Sequence, residues 1–410
     1  MRDRESQLTL QPTEPFERDV VIVGGCGHVG LPLAIAFAHR GARVAAYDID
    51  PATVSQVSSG RMPFQERGAA ALLESAVAAG RLVASTDPAT VSTAEHVIVV
   101  VGTPVDEHLN PDQQAVPRAL ADCADHLRDG QLLILRSTVY PGVTALVEKL
   151  IARLGHAIDV AFCPERIAEG KAMTELFDLP QIISARREEA YNRAAALFGL
   201  LTAHQVRMTP EEAELAKLFT NTWRYIKFAT ANQLYMIAND RGLDFERIRQ
   251  GLMMDYPRAA DMPGSGFAAG PCLLKDTMQL AAFTNNNFAL GHTAMTINEG
   301  MPLYLVDRLK RQYDLESMTV GILGMAFKGG SDDIRSSLAY KLKRVLTSAA
   351  AAVRCTDPYV TVDASLVPLQ EVVDSCDLLI IGAPHPEYAD LATAKPVVDI
   401  WGIRGEGVRI

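Results

Sequence analysis

The segment that most restricts the fold runs from Asp19 to Asp48. Val20-Val21-Ile22-Val23 reads as a buried strand and leads into Gly25-Cys26-Gly27-His28-Val29-Gly30, a GxGxxG turn. Leu31, Leu33, Ala34 and Phe37 then recur at helical spacing, Gly41 stops the helix, and Arg43-Val44-Ala45-Ala46-Tyr47 forms a second strand ending at Asp48. A strand, a tight glycine turn, a helix and a further strand make one unit of a parallel sheet.

Further buried strands at Val97 to Val101 and Leu132 to Leu135 continue the alternation and predict an α/β, doubly wound parallel sheet. The theme returns near the C-terminus. Thr319-Val320-Gly321-Ile322-Leu323-Gly324 again enters a tight turn, Asp357-Pro358 matches Asp50-Pro51, and Leu378 to Pro384 parallels Val97 to Pro104. Between the two copies, Thr209-Pro210-Glu211-Glu212 opens a long helix with an N-cap residue, Pro at the first helical position and acids in the first turn. That helix is apolar on more than one face (Leu215, Leu218, Phe219, Trp223, Ile226, Leu234, Ile237), which calls for cover by neighbours or by a second subunit. The reading is two Rossmann-like domains joined by an all-helical one: a flexible tail at 1–18, a dinucleotide domain at 19–207, a helical domain at 208–312 and a second Rossmann-like domain at 313–410. The second copy carries Gly324-Met325-Ala326-Phe327-Lys328 where the first has its glycines, so the dinucleotide is expected in the first domain and a different nucleotide in the second.

At 410 residues the chain can build several cores. Its 39 basic and 49 acidic residues leave a net charge of -10, with no Lys/Arg run to track a phosphate backbone, which argues against nucleic acid. Six cysteines stand singly, with no disulfide or zinc spacing, which suits a reducing cytoplasm. The first eighteen residues lack the apolar core of a signal peptide, and no run approaches the length of a membrane span, so no membrane partner is expected.

A lone GxGxxG is weak, but here a strand precedes it, a helix follows, and Asp48 ends the next strand, placed to bind ribose hydroxyls and to repel a 2′-phosphate; the cofactor expected is NAD. Arg136-Ser137-Thr138 closes a strand at the sheet edge where ligands sit, although Ser and Thr there are usually turn residues. Glu165 and Glu169 would share a face if their segment were helical; otherwise they are a solvated pair beside Arg166. Lys217, Asn221 and Arg224 form a polar stripe at i, i+4 and i+7 on the long apolar helix, where buried Lys and Asn need partners. Gly264 to Pro271 is a loop of small residues that delivers Cys272, then Lys275 and Asp276. A lone cysteine is usually a small buried hydrophobe, but a cation three residues on favours thiolate and the aspartate one turn on can act as base.

Taken together these residues resemble the UDP-glucose/GDP-mannose dehydrogenase family, from about Val20 to the C-terminus. The family pattern appears in order: the GxGxxG; Arg136-Ser137-Thr138 with Pro141-Gly142; Pro164-Glu165 with Glu169; Glu214 with Lys217 and Asn221; Gly270-Pro271-Cys272 with Lys275-Asp276; and Gly324 to Lys328 with Asp332-Asp333 and Arg335-Ser336. The resemblance implies that Cys272 is the nucleophile, that Lys217 and Asn221 stabilise oxyanions, and that Thr138, Glu165 and Asp276 handle water and protons. Gly25, Gly27, His28, Val29, Gly30, Asp48, Thr103, Pro104, Ser137, Thr138, Lys275 and Arg335 would line the NAD site. Glu165, Arg166, Glu169, Lys217, Asn221, Gly270, Phe327 and Lys328 would line the site of a UDP-sugar, with Arg335 also near it. The helical domain would form a homodimer and send Arg258 to the partner's substrate. Pro164-Glu165-Arg166 and Tyr256-Pro257-Arg258 look like the N-acetylhexosamine branch, whose substrates are UDP-N-acetylmannosamine and UDP-N-acetylglucosamine. Phe267-Ala268-Ala269-Gly270 departs from the usual glycine-rich run.

The expected reaction is four-electron oxidation of C6 to a carboxylate through Cys272, with UDP-glucose as the alternative substrate and a non-catalytic binding protein as the rival reading. An epimerase or dehydratase would need Tyr-x-x-x-Lys, and no tyrosine has lysine four residues on. A β-hydroxyacid dehydrogenase would leave the last ninety residues without a role.

Overall fold

The computed structural model describes residues 15–408 and 410, so most of the expected tail at 1–18 lies outside the described residues. The first domain is built from β1 (Arg18–Val23), α1 (Gly30–His39), β2 (Val44–Tyr47), α2 (Pro51–Ser58), α3 (Ala69–Ala78), β3 (Leu82–Ser85), β4 (Ala94–Val99), α4 (Ala115–Ala121), β5 (Leu132–Leu135), α5 (Val143–Leu154), β6 (Asp159–Phe162), α6 (Ala172–Asp178), β7 (Gln181–Ala185), α7 (Glu188–Gly199) and β8 (Gln205–Met208). Its eight strands lie in the order β3-β2-β1-β4-β5-β6-β7-β8. Neighbours pair parallel except β6 with β7, where Ala161 faces Ala185 and the direction reverses. The sheet is thus doubly wound and parallel over its first six strands, with a parallel pair added in the opposite sense at the end. Strand order reverses at β1, between β2 and β4, and the crevice opens there at the strands' carboxyl ends, directly under the glycine turn. Strand β4 stops at Val99, two residues short of the expected end, because the Val101 N–H turns to the Ser137 hydroxyl instead of the ladder.

The helical domain follows: α8 (Pro210–Asn239), α9 (Phe245–Met253), α10 (Leu273–Phe283) and α11 (Ala289–Lys310). Helix α8 is 30 residues long, begins with Pro210, and is closed by a capping box in which Thr209 and Glu212 satisfy each other's backbone N–H. It packs against α10 and α11. Leu218 is buried, but Trp223 is 61% and Ile237 56% exposed, with Phe219 and Leu234 also open, so part of the apolar surface of α8 has no cover among the described residues.

The last domain comprises β9 (Thr319–Leu323), α12 (Leu338–Thr347), β10 (Ala352–Thr356), α13 (Leu369–Ser375), β11 (Leu378–Ile381) and β12 (Val397–Val398), a parallel sheet in the order β10-β9-β11-β12. Among the described residues no helix is long and apolar enough to cross a membrane.

Candidate active site

The turn after β1 takes its positive φ (77°) at Gly24, one residue before the hexapeptide, where a side chain would strike the Val100 carbonyl. A Cβ on Gly25 would lie 2.6 Å from the Ile22 carbonyl oxygen and 2.7 Å from the Ala46 Cα, so this glycine serves strand packing. Gly27 differs. Its Cβ would meet nothing nearer than 3.7 Å, so protein does not require glycine there, and the open approach fits a ligand phosphate above the amino end of α1, which starts at Gly30 behind Val29. Asp48 Oδ2 accepts from the Cys26 N–H at 3.1 Å and Oδ1 from the Asp50 N–H at 3.3 Å, leaving acceptor sites for ribose hydroxyls. These residues fit a dinucleotide. His28 stacks on Phe64, centroids 4.1 Å apart, and burial followed by the nearby Arg335 cation pushes its pKa below the ordinary value.

At the carboxyl ends of β4 and β5, the Ser137 hydroxyl receives the Val101 N–H and donates back to the Val101 carbonyl, both at 2.8 Å. Thr103 donates to the Thr138 carbonyl at 2.6 Å, and Pro104 continues that loop. Arg136 is buried. Its guanidinium donates to Glu165 Oε2 at 2.5 Å, Gln181 Oε1 at 3.0 Å and the Cys163 carbonyl at 2.9 Å, and lies 4.6 Å over the Phe198 ring. Glu165 Oε1 accepts the Arg166 and Ile167 N–H groups at 2.7 and 3.1 Å. Three of its four acceptor positions are used.

Residues 163–168 are irregular, not helical, so Glu165 and Glu169 do not share a face. Glu165 turns to Arg136, while Glu169 turns to the last domain: Arg335 donates to its Oε1 at 3.0 Å, and Lys328 donates to its backbone carbonyl. Burial, then the neighbouring Asp333 carboxylate, pushes Glu169 up to about 7, and its buried Oε2 has no hydrogen-bond donor among the described residues. The turn is held by Glu66, which accepts from the Gly170 and Ala172 N–H groups at 2.8 and 3.0 Å. Arg166 donates to the Pro180 carbonyl.

Cys272 is the N-cap of α10, and its carbonyl accepts the Asp276 N–H at 2.9 Å. The side chain is open to solvent although protein surrounds it on most sides, as at the floor of a cleft. Asp276 is fully buried. The Asn221 amide donates to its Oδ2 at 2.5 Å, and Lys275 pairs with Oδ1 while reaching Thr103 Oγ1 at 3.4 Å. Lys275 therefore spans to the cofactor side instead of serving the thiol alone. The thiol stands above its ordinary pKa, not below: burial and the Asp276 carboxylate outweigh the cations Lys217 and Lys275. Lys217 is buried, and that burial lowers its ammonium against the opposing pull of Asp276, Cys272 and Glu165. Arg224, expected on the same stripe, is exposed. Glu214 is structural: it caps α5, accepting from the Gly142 N–H at 2.7 Å and the Thr144 N–H at 2.8 Å.

In the last domain Phe327 lies against the Cys272 loop, and a Cβ on Gly270 would come within 2.6 Å of its ring. The alanines of that loop are accommodated: Ala268 packs with Tyr225, Ala229, Leu273 and Ala294. Arg335 is held by Asp333, Nε to Oδ2 at 2.9 Å. Arg258 stands apart, exposed, bonded at 2.8 Å to the Tyr256 hydroxyl. The geometry adds Gln181, Glu66 and Phe64 to the surroundings of the site, none of which carries a spacing that would single it out, and it makes Asp333, named above within the family pattern, the partner of Arg335.

Residues 19–202 match the NAD binding domain of the UDP-glucose/GDP-mannose dehydrogenase family, 211–300 its central domain and 321–405 its UDP binding domain. A UDP-N-acetyl-D-mannosamine dehydrogenase of Pyrococcus horikoshii is 32% identical over 383 residues, 90% of either chain. A UDP-glucose 6-dehydrogenase of Haloferax volcanii is 31% identical over 356 residues, covering 82% of this chain and 83% of that one. A solved UDP-glucose dehydrogenase from Pyrobaculum islandicum superposes with a TM-score of 0.88 at 28% identity, over 98% of this chain and 99% of that one.

Proposed function

This chain belongs to the UDP-glucose/GDP-mannose dehydrogenase family and is an NAD-dependent UDP-sugar 6-dehydrogenase, and from that premise we propose that it oxidises a UDP-N-acetylhexosamine, UDP-N-acetylmannosamine or UDP-N-acetylglucosamine, at C6 through covalent intermediates on Cys272. The observation that carries this reading is the string Asn221–Asp276–Lys275–Thr103, which joins the floor of the Cys272 cleft to the strand ends of the cofactor domain.

NAD, when bound, supplies the acceptor for both hydrides. The C6 hydroxyl gives its proton to Lys217 or to a water beside it, and loss of the first hydride from C6 leaves an aldehyde; burial holds the Lys217 ammonium below its ordinary pKa, which favours its use as a base. The Cys272 sulfur then adds to the aldehyde carbon, a C–S bond replaces the C=O π bond, and the oxygen takes up a proton. Loss of a second hydride from C6 leaves a thioester. Water adds, the C–S bond breaks and the thiol is restored, so that one alcohol, two NAD and one water give one carboxylate, two NADH and three protons. Lys217 and the second N–H of the Asn221 amide supply donors to the developing oxyanion, a contact worth about 3 kcal/mol. Glu165, through its one remaining acceptor position, or Asp276 takes the water proton, with Thr138 ordering that water. Arg166, Glu169, Gly270, Phe327, Lys328 and Arg335 hold the nucleotide sugar. The domains run 19–207, 208–312 and 313–410, and the uncovered face of α8 pairs two chains, each sending Arg258 to the other's substrate.

NADH released per sugar consumed tests this, with UDP-N-acetylmannosamine, UDP-N-acetylglucosamine, UDP-glucose, UDP-galactose and GDP-mannose in parallel. Two NADH per acetamido sugar is expected. Turnover of UDP-glucose alone would move the assignment to that substrate, and uronate formed by Cys272→Ala at the wild-type rate would refute the covalent route.

A further inference from the structure

We infer that Asn232 and Asn298, two buried amides of the helical domain outside the substrate cleft, are positioning residues that hold the Cys272 loop in its working geometry by binding the backbone of Gly266. The inference rests on the covalent role proposed for Cys272.

The loop from Gly264 to Pro271 has no regular structure, so its backbone groups need outside partners. Gly266 finds both in one side chain: its N–H donates to Asn232 Oδ1 at 3.0 Å and its carbonyl accepts from Asn232 Nδ2 at 3.0 Å. The amide of Asn232 thus acts as the peptide group of a neighbouring strand would. Its orientation is fixed from behind. Asn232 Nδ2 also donates to Asn298 Oδ1 at 3.0 Å, and Asn298 Nδ2 donates to the Tyr225 carbonyl at 3.1 Å. Reversing Asn232 would set donor against donor at Gly266, and reversing Asn298 would set acceptor against acceptor at Tyr225. Both residues are at most 1% exposed, on α8 and α11, so this chain of amides lies in the interior, where an aliphatic pair would avoid the desolvation cost.

The opposite side of the loop is held by the last domain. Gly266 lies against the Trp401 ring with φ 143°, and any Cβ would overlap that ring. Ser265 donates to the Ile400 carbonyl at 2.7 Å, and Gly270 donates to the Ser336 carbonyl at 3.3 Å. The loop is clamped between two domains, and Cys272 stands two residues past its second clamp. The sulfur must capture an aldehyde before it diffuses away, and a misplacement of about 1 Å in such a group costs on the order of a hundredfold in rate. Slower capture favours escape. The clamp therefore decides how the aldehyde partitions.

The test is the NADH released per sugar consumed, measured with a hydrazide present to trap free aldehyde. Loss of folded protein lowers the rate but not this ratio, so the readout separates positioning from stability. The expected result is two for the wild type, a fall toward one for Asn232→Leu with trapped aldehyde in matching amount, and a smaller fall for Asn298→Ala, which keeps both Gly266 bonds but frees the amide to turn. A folded Asn232→Leu protein that still gives two NADH and no trapped aldehyde overturns the inference. Should that variant not fold, Asn298→Ala decides by the same ratio. A wild-type ratio of one would instead sink the Cys272 reading, and the inference with it.

Discussion

Arg136 offers the sharpest test of how the site is built, because its guanidinium is fully buried and its main partner, Glu165, is only 8% exposed. In Arg136→Met a side chain of similar length fills the space over Phe198, but Glu165 Oε2 loses its 2.5 Å partner, and Gln181 and the Cys163 carbonyl lose theirs. Removing one member of a buried pair strands the other charge, at a cost of about 3–5 kcal/mol. For a domain of this size each kcal/mol lowers Tm by about 2–4 °C, so the expected drop is about 6–20 °C. Scanning calorimetry measures it on the transition that NAD shifts upward, which marks the unfolding of the cofactor domain in a multidomain chain. Adding Glu165→Gln removes the stranded charge, so the double variant should regain roughly half of the loss. A drop under about 3 °C, or a double variant no more stable than the single, would show that Arg136 and Glu165 do not form one electrostatic unit.

Gly27→Ala should leave Tm within about 1 °C yet weaken NAD binding at least about tenfold by titration, since its Cβ makes only an ordinary 3.7 Å contact with the Gly24 carbonyl oxygen, whereas Gly25→Ala should lose about 1–3 kcal/mol of stability through its contact with Ala46. Glu169→Gln should be more stable than wild type at high pH. A carboxyl raised to about 7 in the folded state and ordinary in the unfolded one disfavours folding as pH rises, so the advantage in Tm should grow from about pH 4.5 to 7 and stay level above; an advantage that shrinks over that window would contradict the burial assigned to it. Trp223→Glu should shift the protein toward monomer in sedimentation analysis, and an unchanged mass would remove the exposed α8 face from the proposed dimer contact.

Local signals carried much of the architecture. The strands at Val20 and Leu132, the start of α8 at Thr209 and the repeat of the strand–turn theme near Thr319 were legible because periodicity and capping are properties of neighbours in sequence. The reversal at β7 was not, since strand direction depends on how the chain returns to the sheet. Site residues divide in the same way. Cys272 and Asp276 are one helical turn apart and could be paired on sight. The attachment of Asp276 to Asn221, of Glu165 to Arg136 and of Gly266 to Asn232 spans 55, 29 and 34 residues. The thiol's environment went the other way from its local reading, because Lys275 is spent on Asp276 and Thr103, while burial acts from all sides and leaves no mark in the spacing.

The two Rossmann-like copies show how one backbone plan gives two chemistries. Gly24 and Gly324 both take positive φ, 77° and 92°, and Asp48 and Asp357 both follow the second strand of their domain. Asp48 meets two backbone N–H groups and keeps room for a ligand. Asp357 meets those of Met325, Ala326, Tyr359 and Val360 together with the His385 ring. Burial alone would raise its carboxyl, yet these donors, His385 foremost, bring it down to about 2. No acceptor position is left for a ribose. His385 in turn accepts the Gly330 N–H at 3.0 Å on Nδ1, so the carboxylate that would bind a cofactor instead fixes the segment that carries Lys328 and Arg335. The replacement of Gly25-Cys26-Gly27 by Met325-Ala326-Phe327 is the local cause: side chains occupy the approach that glycine left open, and the aspartate's capacity is used within the protein. With that approach filled, the second turn sets the Phe327 ring against Gly270 of the Cys272 loop and gives Lys328 to the Glu169 carbonyl, so it spends on contacts within the protein what the first turn keeps open for a ligand.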